Sequence, residues 1–170
     1  MLGAGTYTPV AVDHLDPGLF AHTMTTNYMG VVNALSALAP RMLARGHGQL
    51  AWIASVAGYM GLPKAAAYGP SKAALINLAE SLYPEFKLRG VGISVINPGF
   101  VETPLTAQND FEMPFLMKPA DAARRSLEGL AAGTFEIAYP RRFVAILKAV
   151  RALPYPLFFR LITRAVLKAR

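Results

Sequence analysis

The sequence predicts an α/β fold: a partial doubly wound parallel sheet with flanking helices, followed by a basic amphipathic helical tail. Three observations predict it. The apolar runs Leu50-Ala-Trp-Ile-Ala54 and Val91-Gly-Ile-Ser-Val-Ile-Asn97 have the length and near-continuous apolar character of strands buried on both faces. Helical stretches lie before and between them, and a helix joining parallel strands implies a right-handed crossover. Residues 141–170 alternate apolar and basic residues, holding eight Lys/Arg and no Asp/Glu.

Each element has a local reason. Residues 1–12 read as a turn and an irregular segment. Asp16-Pro17 is a cap followed by a first-turn proline, so a helix starts there. It runs to Gly46, carrying Asn27 and an apolar stripe through Val31, Leu35 and Leu38. Pro40 predicts a kink or a break within it. Gly46-His-Gly48 is a turn before the strand at 50–55, and a Gly/Pro loop fills 56–64. The next helix covers 65–88; Pro70 is tolerable near its start, and Pro84 predicts a bend. After the second strand, residues 98–118 form a long loop with little regular pattern, the kind that often serves as a lid. Its Glu102, Phe111, Met113, Phe115, Leu116 and Met117 either line an apolar substrate site or pack on the body. Pro119-Ala-Asp121 opens another helix, with Asp121 well placed in the first turn. Thr134-Phe-Glu-Ile-Ala138 is a short third strand.

The tail carries Arg141, Arg142, Lys148, Arg151, Arg160, Arg164, Lys168 and Arg170 among residues such as Phe143, Leu147, Leu157 and Ile162. Pro154-Tyr-Pro156 divides it into two helices. It contains no uncharged apolar run of about 18 residues, so it does not span a bilayer. Two destinations stay open: peripheral contact with an anionic membrane surface, or packing against the body or a second subunit.

Charge and composition exclude several classes. The net charge of +7 belongs to the tail; residues 1–140 hold nine basic and ten acidic residues. No nucleic-acid-binding motif accompanies the basic residues, so no nucleic-acid partner is expected. There is no cysteine, hence no disulfide framework and no thiolate site, which is compatible with a cytoplasmic protein. His14, His22 and His47 are scattered, and no metal site is expected.

The chemistry concentrates at Ser55, Tyr68 and Lys72. A tyrosine and a lysine four apart share one helix face. Ser55 falls at the end of the preceding strand, so hydroxyl, phenol and ammonium converge on one point. A free phenol has a pKa of about 10, and a nearby ammonium lowers it. Such a tyrosine exchanges a proton with an alcohol/carbonyl pair while the serine hydroxyl bonds the same oxygen. Side chains supply no hydride, so a nicotinamide cofactor is implied, NAD or NADP.

At these residues the chain resembles the short-chain dehydrogenase/reductase family. Ser55 and Tyr68-Gly-Pro-Ser-Lys72 match its signature in order and spacing. Asn27 in Thr26-Asn27-Tyr-Met-Gly30 resembles the family's fourth catalytic residue, an asparagine that helps hold a proton-relay water. Asn97-Pro98-Gly99-Phe-Val101-Glu-Thr103-Pro104 resembles the segment that lies along the nicotinamide. The resemblance implies a Rossmann-type domain, with Asn27, Ser55, Tyr68 and Lys72 catalytic. It implies that Tyr68, Lys72, Pro98, Gly99, Val101 and Thr103 hold the cofactor. It also implies a small-molecule alcohol or ketone substrate and a homo-oligomer joined through the helices carrying Asn27 and Tyr68. Membrane contact by the tail would suit a lipophilic substrate.

One departure qualifies the match. Family members open with a strand, a glycine-rich turn and a helix that hold the cofactor's pyrophosphate. Here Met1-Leu-Gly-Ala-Gly5 resembles the turn after the family's fourth strand, with Gly3 at the asparagine position. Residues 1–140 are therefore expected to be the catalytic half of such a domain, and 141–170 an extension. The residues that would choose NAD over NADP belong to the other half. The alternative is a non-catalytic remnant that associates with a membrane or partner through its tail.

Overall fold

A computed structural model describes residues 1–109 and 111–167. Lys168 and Arg170 of the basic tail lie outside the described residues. Three parallel strands, β1 (Gly48–Ile53), β2 (Val91–Pro98) and β3 (Glu136–Tyr139), form one sheet in the order β1-β2-β3. The register runs from Gly48 opposite Val91 to Ile53 opposite Ile96, then from Val95 opposite Glu136 to Pro98 opposite Tyr139. The N-terminal segment touches the outer edge of β1. There Leu2 N donates to Ala51 O at 2.8 Å and Leu2 O accepts from Ile53 N at 2.9 Å.

The first helical stretch is α1 (Pro17–Met24), a π-helical turn (Thr25–Met29) and α2 (Gly30–Arg45). Asp16 caps it, its carboxylate accepting from Gly18 N at 2.8 Å. Gly46 ends it with φ of 71°, a left-handed conformation that glycine adopts at little cost. The expected break at Pro40 does not occur, since α2 continues through it. Pro40 and Ser36 both lie on the exposed side, so water can serve the Ser36 carbonyl that the proline leaves without an amide. The irregularity sits instead at Asn27, inside the π turn.

Helix α3 (Tyr68–Leu88) joins β1 to β2, α4 (Pro119–Ala131) joins β2 to β3, and α5 (Arg141–Arg151) and α6 (Tyr155–Ile162) follow. Alternate residues of the strands feed two cores. On one face Leu50, Trp52, Ile93 and Val95 pack with Val31 and Leu35 of α2 and Leu75, Ala79 and Phe86 of α3. On the other, Ile96, Ile137 and Tyr139 pack with Ala122 of α4. A third cluster joins the tail to the body, with Val144, Leu147, Phe158 and Ile162 against Val56 and Met60. One face of the tail is thus part of the folded interior. No helix among the described residues is long and apolar enough to cross a membrane.

Candidate active site

Ser55, the Pro98-Gly99 step and Tyr139 all lie at the carboxyl ends of the strands, where open α/β sheets bind ligands. Ser55 leaves β1 in extended conformation and caps a short 3-10 turn (Val56–Gly58), its Oγ accepting from Ala57 N at 3.1 Å. That Oγ also lies 3.4 Å from the Pro98 carbonyl, to which it donates. Gly58 brings the turn against α3. A Cβ there would stand 2.7 Å from the Lys72 carbonyl carbon and 2.8 Å from Ala73 N, both backbone atoms that cannot give way.

Tyr68 opens α3, half-buried, with its hydroxyl hydrogen-bonded to Ser55 and its ring edge-on to Tyr7 at 5.1 Å. Lys72 follows one turn later and is 4% exposed. Its Nζ donates to the Ile53 carbonyl at 3.0 Å and stands 5.4 Å from the Tyr68 ring centroid. Asn27 is fully buried in the π turn. Its Oδ1 accepts from Thr6 N at 2.7 Å, and its Nδ2 donates to Thr6 O at 3.0 Å and to Ser71 Oγ at 2.9 Å. Ser71 in turn donates to the Tyr68 carbonyl at 2.7 Å. The π turn, a local irregularity often found at functional sites, thus sets Asn27 against the first turn of α3. Gly5 leaves a gap between the two parts: a Cβ there would be 3.4 Å from Asn27 Oδ1 and 3.5 Å from Lys72 Nζ.

Electrostatics depart from the simple expectation for a tyrosine beside a lysine. Burial pushes the Tyr68 phenol up to about 12; the Ser55 hydrogen bond pulls it down and Tyr7 pushes it further up. Burial lowers the Lys72 ammonium to about 8. In this state desolvation outweighs the attraction of the ammonium, which is directed at the Ile53 carbonyl.

The segment after β2 is more ordered than a patternless loop. Gly99 N donates to Tyr139 O at 2.7 Å, and Val101 bridges to Met117. Thr106 Oγ1 donates to Val101 O at 2.6 Å and accepts from Thr103 N at 3.1 Å. Of Pro98, Gly99, Val101 and Thr103, Pro98 contacts Ser55, while Gly99, Val101 and Thr103 are held by Tyr139, Met117 and Thr106. The six apolar-site candidates separate. Met117 packs in the α4-side core, while Glu102 is exposed and paired with Lys118 at 2.6 Å. Met113 Sδ accepts from Asn109. Phe111 and Phe115 join an aromatic surface with Phe100 and Phe143, centroids 5.7–5.8 Å apart, and Leu116 is exposed.

A second polar cluster escaped the sequence reading. Asn97 Nδ2 donates to Glu136 Oε1 at 3.0 Å, Tyr59 OH donates to it at 2.6 Å, and Lys148 Nζ pairs with Glu136 Oε2. Burial alone would raise the Glu136 carboxyl, but the bonds from Lys148, Tyr59 and Asn97 hold it below its usual value. Burial and that carboxylate push the Tyr59 phenol well up. The available signal was a carboxylate inside a short strand, which demands partners.

Fold and site define an α/β protein with a parallel sheet and a cluster of Ser55, Tyr68 and Lys72 at the carboxyl end of its first strand. The profile of the short chain dehydrogenase family matches residues 1–113, and the chain belongs to that family of oxidoreductases. An uncharacterized oxidoreductase of Myxococcus xanthus is 41% identical over 133 residues, covering 78% of this chain and 53% of that protein. The 3-ketodihydrosphingosine reductase of Dictyostelium discoideum is 30% identical over 158 residues, covering 85% of this chain and 47% of that one. A short chain dehydrogenase from Burkholderia cenocepacia, solved in complex with NADP, superposes with a TM-score of 0.79 at 24% identity. It covers 93% of this chain and 65% of its own. The chain spans about half the length of the curated relatives it matches.

Proposed function

We propose that the full-length protein is an NAD(P)-dependent oxidoreductase acting on an alcohol/carbonyl pair, with a lipophilic ketone or alcohol as substrate. The observation that carries this reading is the convergence of Ser55, Tyr68 and Lys72 at the ends of β1 and α3. Bound there, NAD or NADP supplies or accepts the hydride. The residues fit the nicotinamide end of such a cofactor. Lys72 presents a buried ammonium with donors beyond the one used on Ile53, suited to ribose hydroxyls. Tyr68, Pro98, Gly99, Val101 and Thr103 complete the proposed nicotinamide contact, with Pro98 beside Ser55. No glycine-rich turn opening a helix is found among the described residues.

Tyr68 gives its proton to the carbonyl oxygen during reduction, and its raised pKa keeps the phenol protonated at neutral pH. Ser55 donates to the same oxygen and stabilises the charge that builds there. Asn27 fixes the first turn of α3 through Ser71, and it supports the proton relay from there. The lipophilic substrate is supported by the Phe100, Phe111, Phe115 and Phe143 surface and by the relative that acts on 3-ketodihydrosphingosine. Exposed Met29 and Leu38 on the outer side of the first helical stretch suit a homo-oligomer contact. Peripheral membrane contact by the tail belongs to the same reading.

The test uses the full-length protein with NADH and NADPH against short and long-chain 3-ketones, followed by cofactor absorbance. Turnover lost in Tyr68→Phe is expected. Oxidation of neither cofactor with any ketone, or full activity in Tyr68→Phe, overturns the reading.

A further inference from the structure

One oxygen of Glu136 is bonded by residues that flank both hydrogen-bond partners of Ser55. Ser55 Oγ accepts from Ala57 N at 3.1 Å and lies 3.4 Å from the Pro98 carbonyl. Just after Ala57 and Gly58, Tyr59 closes the 3-10 turn, its N–H donating to Val56 O at 3.1 Å. The Tyr59 hydroxyl reaches across to Glu136 Oε1 at 2.6 Å. Immediately before Pro98, Asn97 donates from Nδ2 to the same Oε1 at 3.0 Å. Asn97 is fully buried and its Oδ1 has no partner among the described residues, so the amide is held from its Nδ2 side. Lys148 pairs with the other carboxylate oxygen and stands 5.3 Å from the Tyr59 ring centroid. The contacts form a closed circuit that runs from Ser55 through its turn to Tyr59, Glu136, Asn97 and Pro98, and back to Ser55.

We propose that Glu136 and Tyr59 are positioning residues for Ser55, fixing the turn and the Pro98 step so that the serine hydroxyl is presented to the substrate oxygen. Ser55 has little of its own to hold it. It caps a short turn, and its approach to the Pro98 carbonyl is long for a bond between oxygens. The Tyr59–Glu136 bond is short, as expected where a carboxylate is the acceptor, and such bonds are the strong ones. Lys148, Tyr59 and Asn97 keep that carboxylate ionised, so the acceptor persists at neutral pH. A tie between β3 and α5 needs only the pair with Lys148. The two bonds at Oε1 reach instead to the segments on either side of Ser55. A reacting group misplaced by about 1 Å can lose about 10²-fold in rate, so these anchors bear on turnover without touching substrate. The proposal rests on the reading that Ser55 bonds the substrate oxygen.

The experiment compares Tyr59→Phe, Glu136→Ala and Glu136→Gln in the full-length protein. Tyr59→Phe keeps the ring and removes only the hydroxyl. Its kcat with a ketone should fall about tenfold while its Kd for NAD(P)H stays within about twofold of the parent. In a Ser55→Ala background the same change should cost nothing further, because it acts through Ser55. Glu136→Ala should match Tyr59→Phe, and Glu136→Gln, which keeps an acceptor oxygen, should recover most of the rate. Phe86→Leu, in the core at the far end of α3, should melt at lower temperature with kcat unchanged. Amide exchange followed by NMR needs no turnover. The Ala57 amide should exchange about tenfold faster in Tyr59→Phe. The Ala54 amide, bonded to Ile96 O at 2.8 Å, should exchange as in the parent. Parental kcat in Tyr59→Phe, an equal loss in the Ser55→Ala background, or exchange that is unchanged at Ala57 or equally faster at both amides overturns the proposal. A parent that oxidises neither cofactor overturns the oxidoreductase reading instead, and exchange at Ala57 then decides whether Tyr59 holds the turn.

Discussion

At the scale of residues, the site is a contest between desolvation and hydrogen bonding. Burial keeps the Tyr68 phenol neutral, and the Ser55 hydroxyl pulls its pKa back down. Tyr68→Phe should lower kcat by about 10²–10⁴-fold while leaving cofactor affinity close to the parent, checked by turnover and by titration with NAD(P)H. Lys72 gives a prediction about stability. Its folded pKa is about 8 against an ordinary 10.5, so burial disfavours the charged form. Between those values the unfolded chain holds the proton that the folded chain has released, and stability rises with pH. Relative to Lys72→Met, the parent should gain up to about 3 kcal/mol between pH 7 and pH 10.5, read from urea unfolding at each pH. A flat difference would show that the ammonium is solvated. Gly58 is a third residue-scale constraint. Its α-hydrogen meets the backbone of Lys72 and Ala73, so Gly58→Ala should cost about 1–3 kcal/mol and misplace Ser55, raising KM as well as lowering kcat.

At the scale of elements, Glu136 ties α5 to β3 and to the turn after Ser55. Its carboxyl is held below the usual value, so its contribution is present above the unfolded pKa and fades as pH falls through the folded one. Glu136→Gln should be destabilised by about 1 kcal/mol at pH 7, since the pair with Lys148 is partly exposed. That deficit should disappear in acid, as thermal melts across the pH range would record. How much of this was legible follows from where each signal resides. The strands showed as apolar runs, and the helix starts at Asp16 and Pro119 showed as local chemistry. Asn27 was legible by its neighbours, but the π turn around it was not, because no residue there demands an extra backbone unit. Of the kink or break expected at Pro40, the break is absent, because its effect depends on which side of α2 faces water. The Tyr59–Asn97–Glu136–Lys148 cluster draws on four separate segments, and only the β2–β3 register brings them within reach.

At the scale of the whole molecule, the tail is both interior and surface. Val144, Leu147, Phe158 and Ile162 complete a core over Val56 and Met60, beside the turn that carries Ser55. A chain ended at Pro140 should therefore melt at lower temperature or aggregate, because it exposes that core; solubility and thermal scans would measure this. The same architecture places the chain's single tryptophan in a defined position. Trp52 is fully buried in β1, three residues before Ser55, with its indole nitrogen donating to the Leu75 carbonyl at 2.9 Å. Its emission should be blue-shifted and spectrally narrow, and should redden only when β1 parts from α3. Indole emission overlaps the absorption of reduced nicotinamide. Docking of the cofactor beside Ser55 should therefore dim this one lamp by energy transfer, giving an optical readout of occupancy that needs neither a label nor turnover.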